Sequence, residues 1–368
     1  MGDLFVVIPA YNAERYLQKA VDSVLRQPCK CCVVIVDDGS TDDTGAICDK
    51  IAAEDSRVTV LHQENAGVSC ARNKGISYFL EQNKDATGYI GFCDADDLWK
   101  AGCITNQILN EAENQKADIV GFSCWCTDQE AQHYYVNNQY QENTVILPEK
   151  GTVEWMLKGP FCAHLYSIKM IREFTLRFPE NVARNEDVIF MRQAVFSASR
   201  IAYREETLYL YRTNRSSVTH QSTDVTGTML DTCRAWYGMR FWTGTIVPLS
   251  HKQDDWRHLC LFTAAAVLLE AARKMAEQGL RRKHILNIIK KEPYFAEIDN
   301  LIVENLAYWQ QPDLIMFRED FGQFYWKHRI RGMVKTVGKL ALCIPMIRNR
   351  RDRKRFPFEV KDDYLGKV

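Results

Sequence analysis

A chain of 368 residues that is 46% hydrophobic and 26% charged has the composition of a soluble globular protein, with room for two domains. Its longest apolar stretch, residues 259–269, is far shorter than the roughly 20 residues needed to cross a bilayer, and Asp3 with only Val6-Val7-Ile8 behind it argues against a secretory leader. The formal net charge of zero hides an asymmetry: eleven Lys and Arg residues and a single acid, Asp352, fall between Lys327 and Arg355, so the rest of the chain is net acidic.

In chain order, residues 4–8 read as a strand and 14–26 as an amphipathic helix with Tyr16, Leu17, Ala20, Val21, Val24 and Leu25 on one side. Residues 33–36 read as a second strand and 42–53 as a second helix. A third strand at 58–61, a third helix at 68–80 and a fourth strand at 89–92 follow. This order predicts an α/β fold, a mostly parallel sheet with helices on both faces. Ligands of such sheets bind at the carboxyl ends of the strands. Three polar clusters fall there: Pro9-Ala10-Tyr11-Asn12, Asp37-Asp38-Gly39-Ser40 and Asp94-Ala95-Asp96-Asp97. Residues 117–211 are less regular, with strand-like pieces at 119–122 and 208–211, and the chain turns helical beyond Thr223, notably at 256–277. The expected organisation is an α/β domain over 1–220, a helical C-terminal region over 221–326, and a basic amphipathic segment and tail over 327–368.

Three carboxylates within four residues are electrostatically costly unless a cation neutralises them. Hard oxygen ligands suit Mg²⁺ or Mn²⁺, and Mg²⁺ is commonly held by one or two carboxylates plus substrate phosphates. In Asp37-Asp38-Gly39-Ser40-Thr41-Asp42, a turn at Gly39 with Ser40 or Thr41 capping the next helix accounts for part of the pattern. The doubled acid is left over, and one carboxylate there is suited to accept from a base or ribose. Arg72 either lies on a solvated face or aims its planar fork at phosphate or carboxylate. Asn185 is suited to cap a helix whose first-turn acids, Glu186 and Asp187, complement its dipole; the alternative makes Asp187 a general base. Cys29-Lys30-Cys31-Cys32 lacks a second Cys/His pair at ligand spacing, so no structural zinc is expected. The thirteen cysteines, several inside apolar runs, fit reduced thiols in a cytoplasmic protein.

The ordered set is more specific than its members. Val7-Ile8-Pro9-Ala10-Tyr11-Asn12, the Asp37 to Asp42 run, Asn65-Ala66-Gly67 with Ala71-Arg72-Asn73, Asp94-Ala95-Asp96-Asp97 and Glu186-Asp187 resemble the family 2 inverting glycosyltransferases of bacterial surface-polysaccharide type. Leu165-Tyr166, Phe178-Pro179 and Tyr211-Arg212 extend the likeness over residues 4–220. The resemblance implies a GT-A fold and a nucleotide-diphosphate sugar, usually a UDP-sugar, as donor. It implies that Pro9, Tyr11 and Asp38 hold the nucleoside with Asn12 beside them, and that Asp94 approaches the ribose and sugar. Asp96, the second acid of a DxD motif, would bind Mn²⁺ or Mg²⁺. Arg72, Asp97 and Glu186 would complete the donor site, and Asp187 would be the catalytic base. Where relatives read Trp-Asn-Lys-Leu-Tyr this chain has Cys162-Ala163-His164-Leu165-Tyr166, which leaves acceptor and sugar contacts at that segment open.

The implied acceptor is a saccharide or lipid-linked saccharide. The basic segment 327–355 has apolar residues on one helical side and cations on another, which fits an anionic membrane surface and a peripheral position on the inner face of the cell membrane. No aromatic-rich recognition module accompanies it, so nucleic acid is not the expected partner. A Mg²⁺-dependent phosphoryl or nucleotidyl transferase would share the acidic strand end, but the chain has no Gly-rich phosphate loop or Walker Lys, and that class does not predict Glu186-Asp187. A non-catalytic sugar-nucleotide-binding protein would not need all three acidic sites.

Overall fold

The computed structural model describes residues 3–84, 87–127, 134–138, 143–146, 160–180, 182, 185–212, 225–239, 250–292, 295 and 320–329. They fall into two compact units, the first holding the described residues up to 180 and 186–212, the second holding 182, 185 and those from 225 onward.

The first unit is built on one sheet. Strands β1 (Leu4–Ala10), β2 (Cys31–Asp37), β3 (Val58–His62) and β4 (Tyr89–Phe92) alternate with helices α1 (Leu17–Leu25), α2 (Thr44–Glu54) and α3 (Val68–Gln82). All seven residues of β1 are buried, the unbroken apolar run expected of a central parallel strand. β1 pairs in parallel with β2 and β4, and β2 with β3. The predicted strands are all present, and three aligned carboxyl ends bring the polar clusters after Ala10, Asp37 and Phe92 to one edge.

The stretch read as irregular carries the second half of the sheet. β5 (Leu98–Trp99), β6 (Ile119–Thr127), β9 (His164–Ser167) and β10 (Ile201–Arg212) complete the order β3-β2-β1-β4-β9-β6-β10-β5; β7 (Tyr134–Asn138) pairs with β6 and β8 (Thr144–Ile146) with β10. β9 runs antiparallel to both β4 and β6, while β6 and β10 are parallel, so the sheet is mixed. The β6–β10 register shifts between Tyr203 and Thr207 and again before Tyr209, a bulge that re-aims the end of β10. Helices α4 (Asn106–Asn114), α5 (Ile168–Glu173) and α6 (Glu186–Ser197) complete the unit.

Two helices are fixed to this sheet by contacts that allow little change. On α3, Gly75 rides over Val7 and Val34, themselves register partners; a Cβ there would lie 2.5 Å from Val7 Cγ1. On α1 the buried stripe is Leu17, Ala20, Val21 and Val24, close to the predicted one. Ser23 Oγ on the same helix accepts from Trp99 N at 2.9 Å, and the buried Gln27 amide donates to Lys100 O and accepts from Ile104 N. These polar contacts fix the chain just beyond the acidic cluster. The start of α2 differs from expectation: neither Ser40 nor Thr41 caps it. It begins at Thr44 because Ser40 Oγ accepts from Asn12 N and Thr41 N donates to Asn12 Oδ1, so both residues are committed to a neighbouring loop.

In the second unit α7 (Val225–Met239), α8 (Ser250–Gln278), α9 (Arg282–Ile289) and α10 (321–329) are helical. The predicted helix at 256–277 lies inside α8, whose residues Leu261, Ala264, Ala265, Leu268, Ala272 and Met275 are buried. α8 stops at Gly279, whose φ is 95°, with Leu280 N bonded to Met275 O and Gly279 N to Ala276 O, the double bond pattern of a Schellman turn. No helix among the described residues is long and apolar enough to cross a membrane. The described cysteines are free thiols.

Overpacking the α3–sheet contact should be felt. Gly75→Ala is expected to lower stability by about 1–3 kcal/mol, read as a lower urea midpoint with an unchanged slope; an unchanged midpoint would show that α3 does not seat on Val7 and Val34.

Candidate active site

At the carboxyl end of β1 the chain turns outward at Tyr11, a 52% exposed ring, and Asn12 adopts φ 48°. The strained Asn12 stitches two loops together: its N–H donates to Ser40 Oγ at 3.1 Å and its Oδ1 accepts from Thr41 N at 2.8 Å. Ala13 N donates to Thr44 Oγ1, and Glu14 and Asp43 repeat the pattern further along. Pro9, by contrast, is buried within β1. At the end of β2, Asp37 bonds His62 Nδ1 at 2.9 Å and accepts from Ser40 N.

Asp38 is 3% exposed, and both of its carboxylate oxygens are in use within the chain. They accept from Gln63 Nε2 at 2.7 Å, Ala66 N at 2.8 Å and Gly67 N at 2.9 Å. Asp38 therefore holds the loop that launches α3, and its peptide N–H is tied to Ala10 O beside Tyr11. Gly39 has to be glycine: φ is 70°, and a Cβ would come within 2.7 Å of Asn65 N.

The three acids after β4 face different ways. Asp97 is 2% exposed; its Oδ2 accepts from Tyr209 Oη at 2.6 Å and its Oδ1 from Arg212 N at 2.7 Å. Tyr209 Oη also accepts from Asp94 N, and Arg212 Nε donates to Asp96 O at 2.7 Å. The end of β10 thus grips all three acids, through backbone or side chain. Burial, then the charges of Asp96 and Asp94, pushes the Asp97 carboxyl well above the usual range against the bonds from Tyr209 and Arg212. The Asp96 carboxylate makes no hydrogen bond to another described residue, and burial followed by the Asp94 charge pushes it upward as well.

Arg72 on α3 joins this loop to a second acidic pair. Its Nη2 donates to Asp94 Oδ1 at 2.7 Å and its Nη1 to Glu186 Oε1 at 2.9 Å, with the guanidinium 5% exposed. The Phe161 and Phe178 rings flank it, 4.6 and 5.1 Å from the guanidinium carbon. Burial opposes its charge, but the fields of Asp94 and Glu186 outweigh this and hold Arg72 firmly protonated. The next residue, Asn73, secures the Phe178 wall: Nδ2 donates to Phe178 O and Oδ1 accepts from Phe178 N. Behind the wall, Phe178 stacks on Phe190 at 4.0 Å, with Phe92 edge-on to both.

Asp187 follows Glu186 in the first turn of α6. Burial, then the neighbouring Glu186 charge, pushes its carboxyl up to about 6, with Arg72 pulling the other way. Asn185 does not adopt the extended backbone of an N-cap: its φ is 63° and its side-chain amide donates to Thr232 Oγ1. His164, in the Cys162 to Tyr166 segment, is 3% exposed, donates from Nδ1 to Pro160 O at 3.0 Å, and is pushed down to about 4 by burial. A separate cavity of about 490 Å³ is lined by Lys100, Cys103, Arg204 and Glu206 among others and by none of these acids.

The structure therefore brings Arg72, Asp94, Asp96, Asp97, Glu186 and Asp187 together, and puts Tyr11, Asn12 and Asp38 on adjoining loops. Tyr209, Arg212, Phe161 and Asn73 were not singled out as functional by sequence reasoning. Among the described residues no three His, Cys, Asp or Glu side chains could together hold a metal ion. A divalent ion that fills its shell with phosphate oxygens and water needs fewer protein ligands. The unbonded Asp96 carboxylate and the remaining oxygen of Asp94 fit that need.

Comparison with known proteins gives the chain its relatives. The profile of Glycosyl transferase family 2 matches residues 5–173. Glycosyltransferase GlyG of Streptococcus pneumoniae is 30% identical over 230 residues, 60% of this chain and 74% of GlyG. The uncharacterized glycosyltransferase EpsJ of Bacillus subtilis is 33% identical over 222 residues, 58% of this chain and 62% of EpsJ, so the match spans less than two thirds of that relative. Among solved structures, residues 1–349 of S. aureus TarS in complex with UDP-GlcNAc superpose with a TM-score of 0.57 at 16% identity, covering 90% of this chain and 89% of that one, a likeness of fold.

Two substitutions test the packing of the site. Arg72→Met is expected to cost about 3–5 kcal/mol, because a paired buried charge is removed and its carboxylate partners stay behind. Tyr209→Phe should cost about 1–3 kcal/mol by leaving an Asp97 oxygen unbonded. Denaturant unfolding measures both, and wild-type midpoints would remove these residues from the framework of the site.

Proposed function

Because the chain belongs to glycosyl transferase family 2, we propose that it moves a glycosyl group from a nucleotide-diphosphate sugar, a UDP-sugar foremost, to a saccharide or lipid-linked saccharide acceptor with inversion at the anomeric carbon. The observation that carries this reading is the buried Arg72 bridge, which ties Asp94 on the donor-side loop to Glu186 beside Asp187. The fold shared with a TarS fragment crystallised with UDP-GlcNAc supports the choice of donor.

In this reading Tyr11 offers its exposed ring to the base, and the loop braced by Asp38 and Asn12 shapes the nucleoside pocket. Asp94 and Asp96 face the diphosphate, where they would hold Mn²⁺ or Mg²⁺. Such an ion, when bound, supplies Lewis-acid stabilisation of the departing diphosphate. Asp97 acts from behind, fixing the loop rather than touching the donor. The acceptor hydroxyl oxygen forms the new bond to the anomeric carbon as the bond to the diphosphate oxygen breaks. Its proton passes to Asp187, and the nucleoside diphosphate leaves from the opposite side. A carboxyl poised near 6 is ionised at neutral pH yet basic enough to accept that proton. The proposed setting is bacterial surface-polysaccharide assembly from the cytoplasmic side, the chain lying peripherally on the inner face of the membrane.

The reading is tested by screening nucleotide sugars for Mn²⁺-dependent hydrolysis and transfer, and hydrolysis of none of them would overturn it. Asp187→Asn should lower turnover by about 10²–10⁴-fold with donor affinity kept; near wild-type turnover would remove Asp187 as the base. Asp96→Ala should abolish metal-dependent donor binding in calorimetry, and unchanged affinity would place the metal elsewhere. Since the ionised base is the active form, kcat/KM should fall as pH drops through about 6 and level off above it; a flat profile between pH 5 and 8 would contradict the assignment.

A further inference from the structure

The second unit carries a charged surface that the transfer reaction does not use. Beyond the Schellman turn at Gly279, Arg281, Arg282, Lys283 and His284 are all exposed at the start of α9, and exposed Lys290 and Lys291 follow just past its end. Ile285 and Ile289 turn inward to anchor α9, so its outer side is left to the cations. None of these side chains makes a hydrogen bond or ion pair with another described residue. The one acid in the run, Glu292, is 6% exposed and held by Arg234 through two bonds, at 2.9 and 2.6 Å.

Beside this face stands α10. Its Gly322 lies under the Arg282 guanidinium, with Nη1 3.2 Å from where a Cβ would sit, and the Arg329 guanidinium packs over Gly279. Phe324 and His328 are buried, which fixes the helix, while Trp326 is 59% exposed and Lys327 is exposed next to it. Trp326 is one turn on from Gly322 and three residues before Arg329, so it falls on the side of α10 that carries both. Asp320, which caps α10 through Gln323 N, also lies beside Gly322, its Oδ1 3.0 Å from where a Cβ would sit. The sequence then runs straight into the Lys/Arg-rich stretch that ends at Arg355.

We propose that the face formed by Arg281, Arg282, Lys283, Lys290, Lys291 and Trp326 docks the protein on an anionic lipid surface. Cations without a partner among the described residues are drawn to acidic headgroups, and an exposed indole with an apolar body and one N–H suits the headgroup boundary. A nucleic-acid face would need stacking rings in a groove, and a single flanking Trp does not supply one. The proposal builds on the lipid-linked acceptor argued above and names the surface that would bring the site to it.

The test is co-sedimentation of the full chain with vesicles of phosphatidylglycerol and phosphatidylcholine in equal parts, against phosphatidylcholine alone, with Mn²⁺-dependent donor hydrolysis in solution measured alongside. Each cation near an acidic surface contributes about fivefold in partitioning. The combined variant Arg281→Glu, Arg282→Glu and Lys283→Glu should therefore bind acidic vesicles at least about a hundredfold more weakly, with hydrolysis unchanged. Trp326→Ala should weaken binding while keeping most of its salt dependence. Equal binding of wild type and triple variant, no preference for acidic vesicles, or tighter binding to a DNA duplex would overturn the proposal and leave the transferase reading intact. Vesicle binding by a wild type that hydrolyses no nucleotide sugar would do the reverse.

Discussion

The site depends on one buried guanidinium. Arg72 has little access to water, and a charge in that position is tolerated only when it is paired and hydrogen-bonded. Asp94 and Glu186 supply the pairing, and Phe161 and Phe178 supply polarizable walls. Arginine suits the role because its planar fork can reach two carboxylates while its faces stack. The consequence is geometric. Residues 22 and 114 positions from Arg72 in the sequence are held to one point, so the acid loop after β4 and the first turn of α6 cannot move apart without exposing an unpaired charge. The same cation draws the Asp187 carboxyl down against burial and Glu186, which leaves it near 6 rather than higher.

A second constraint works on the acid loop itself. Three carboxylates after a buried strand would repel one another and swing apart if left free. The end of β10 prevents this by giving Asp97 a phenol and a backbone N–H, and by engaging Asp94 and Asp96 through their main chain. The Asp96 side chain and one oxygen of Asp94 are left without such bonds. In the proposed reading that repulsion favours a divalent cation, which would in turn hold the diphosphate, so the loop is kept ready by residues that do not meet the ligands.

The sequence made the first half of the sheet readable because its apolar runs alternate with helix periodicity and end in polar punctuation. It also brought forward the acids, since three carboxylates at a strand end have few structural explanations. It could not order them. Residue type alone does not separate Asp96 from Asp97; in the folded chain Tyr209 pairs with Trp99 and Leu210 with Leu98, and Tyr209 Oη and Arg212 N hold the Asp97 carboxyl inward. Asp38 was read as a nucleoside contact; what the sequence did not show is that its oxygens also accept from Gln63, Ala66 and Gly67, an arrangement that requires the folded loop. β9, four residues long and wedged between β4 and β6, left no period to read. The basic segment beyond Arg329 lies outside the described residues.

The central claim, that Arg72 couples Asp94 to the proposed base Asp187, is tested most directly by the pH dependence of kcat/KM for wild type and Arg72→Gln, with folding of the variant checked by circular dichroism. Removing the cation takes away the one charge that favours ionised Asp187, so the acidic limb should move from about 6 to higher pH as the rate falls. A limb that stays in place while the rate falls would show that Arg72 and Asp187 act independently and would contradict the account.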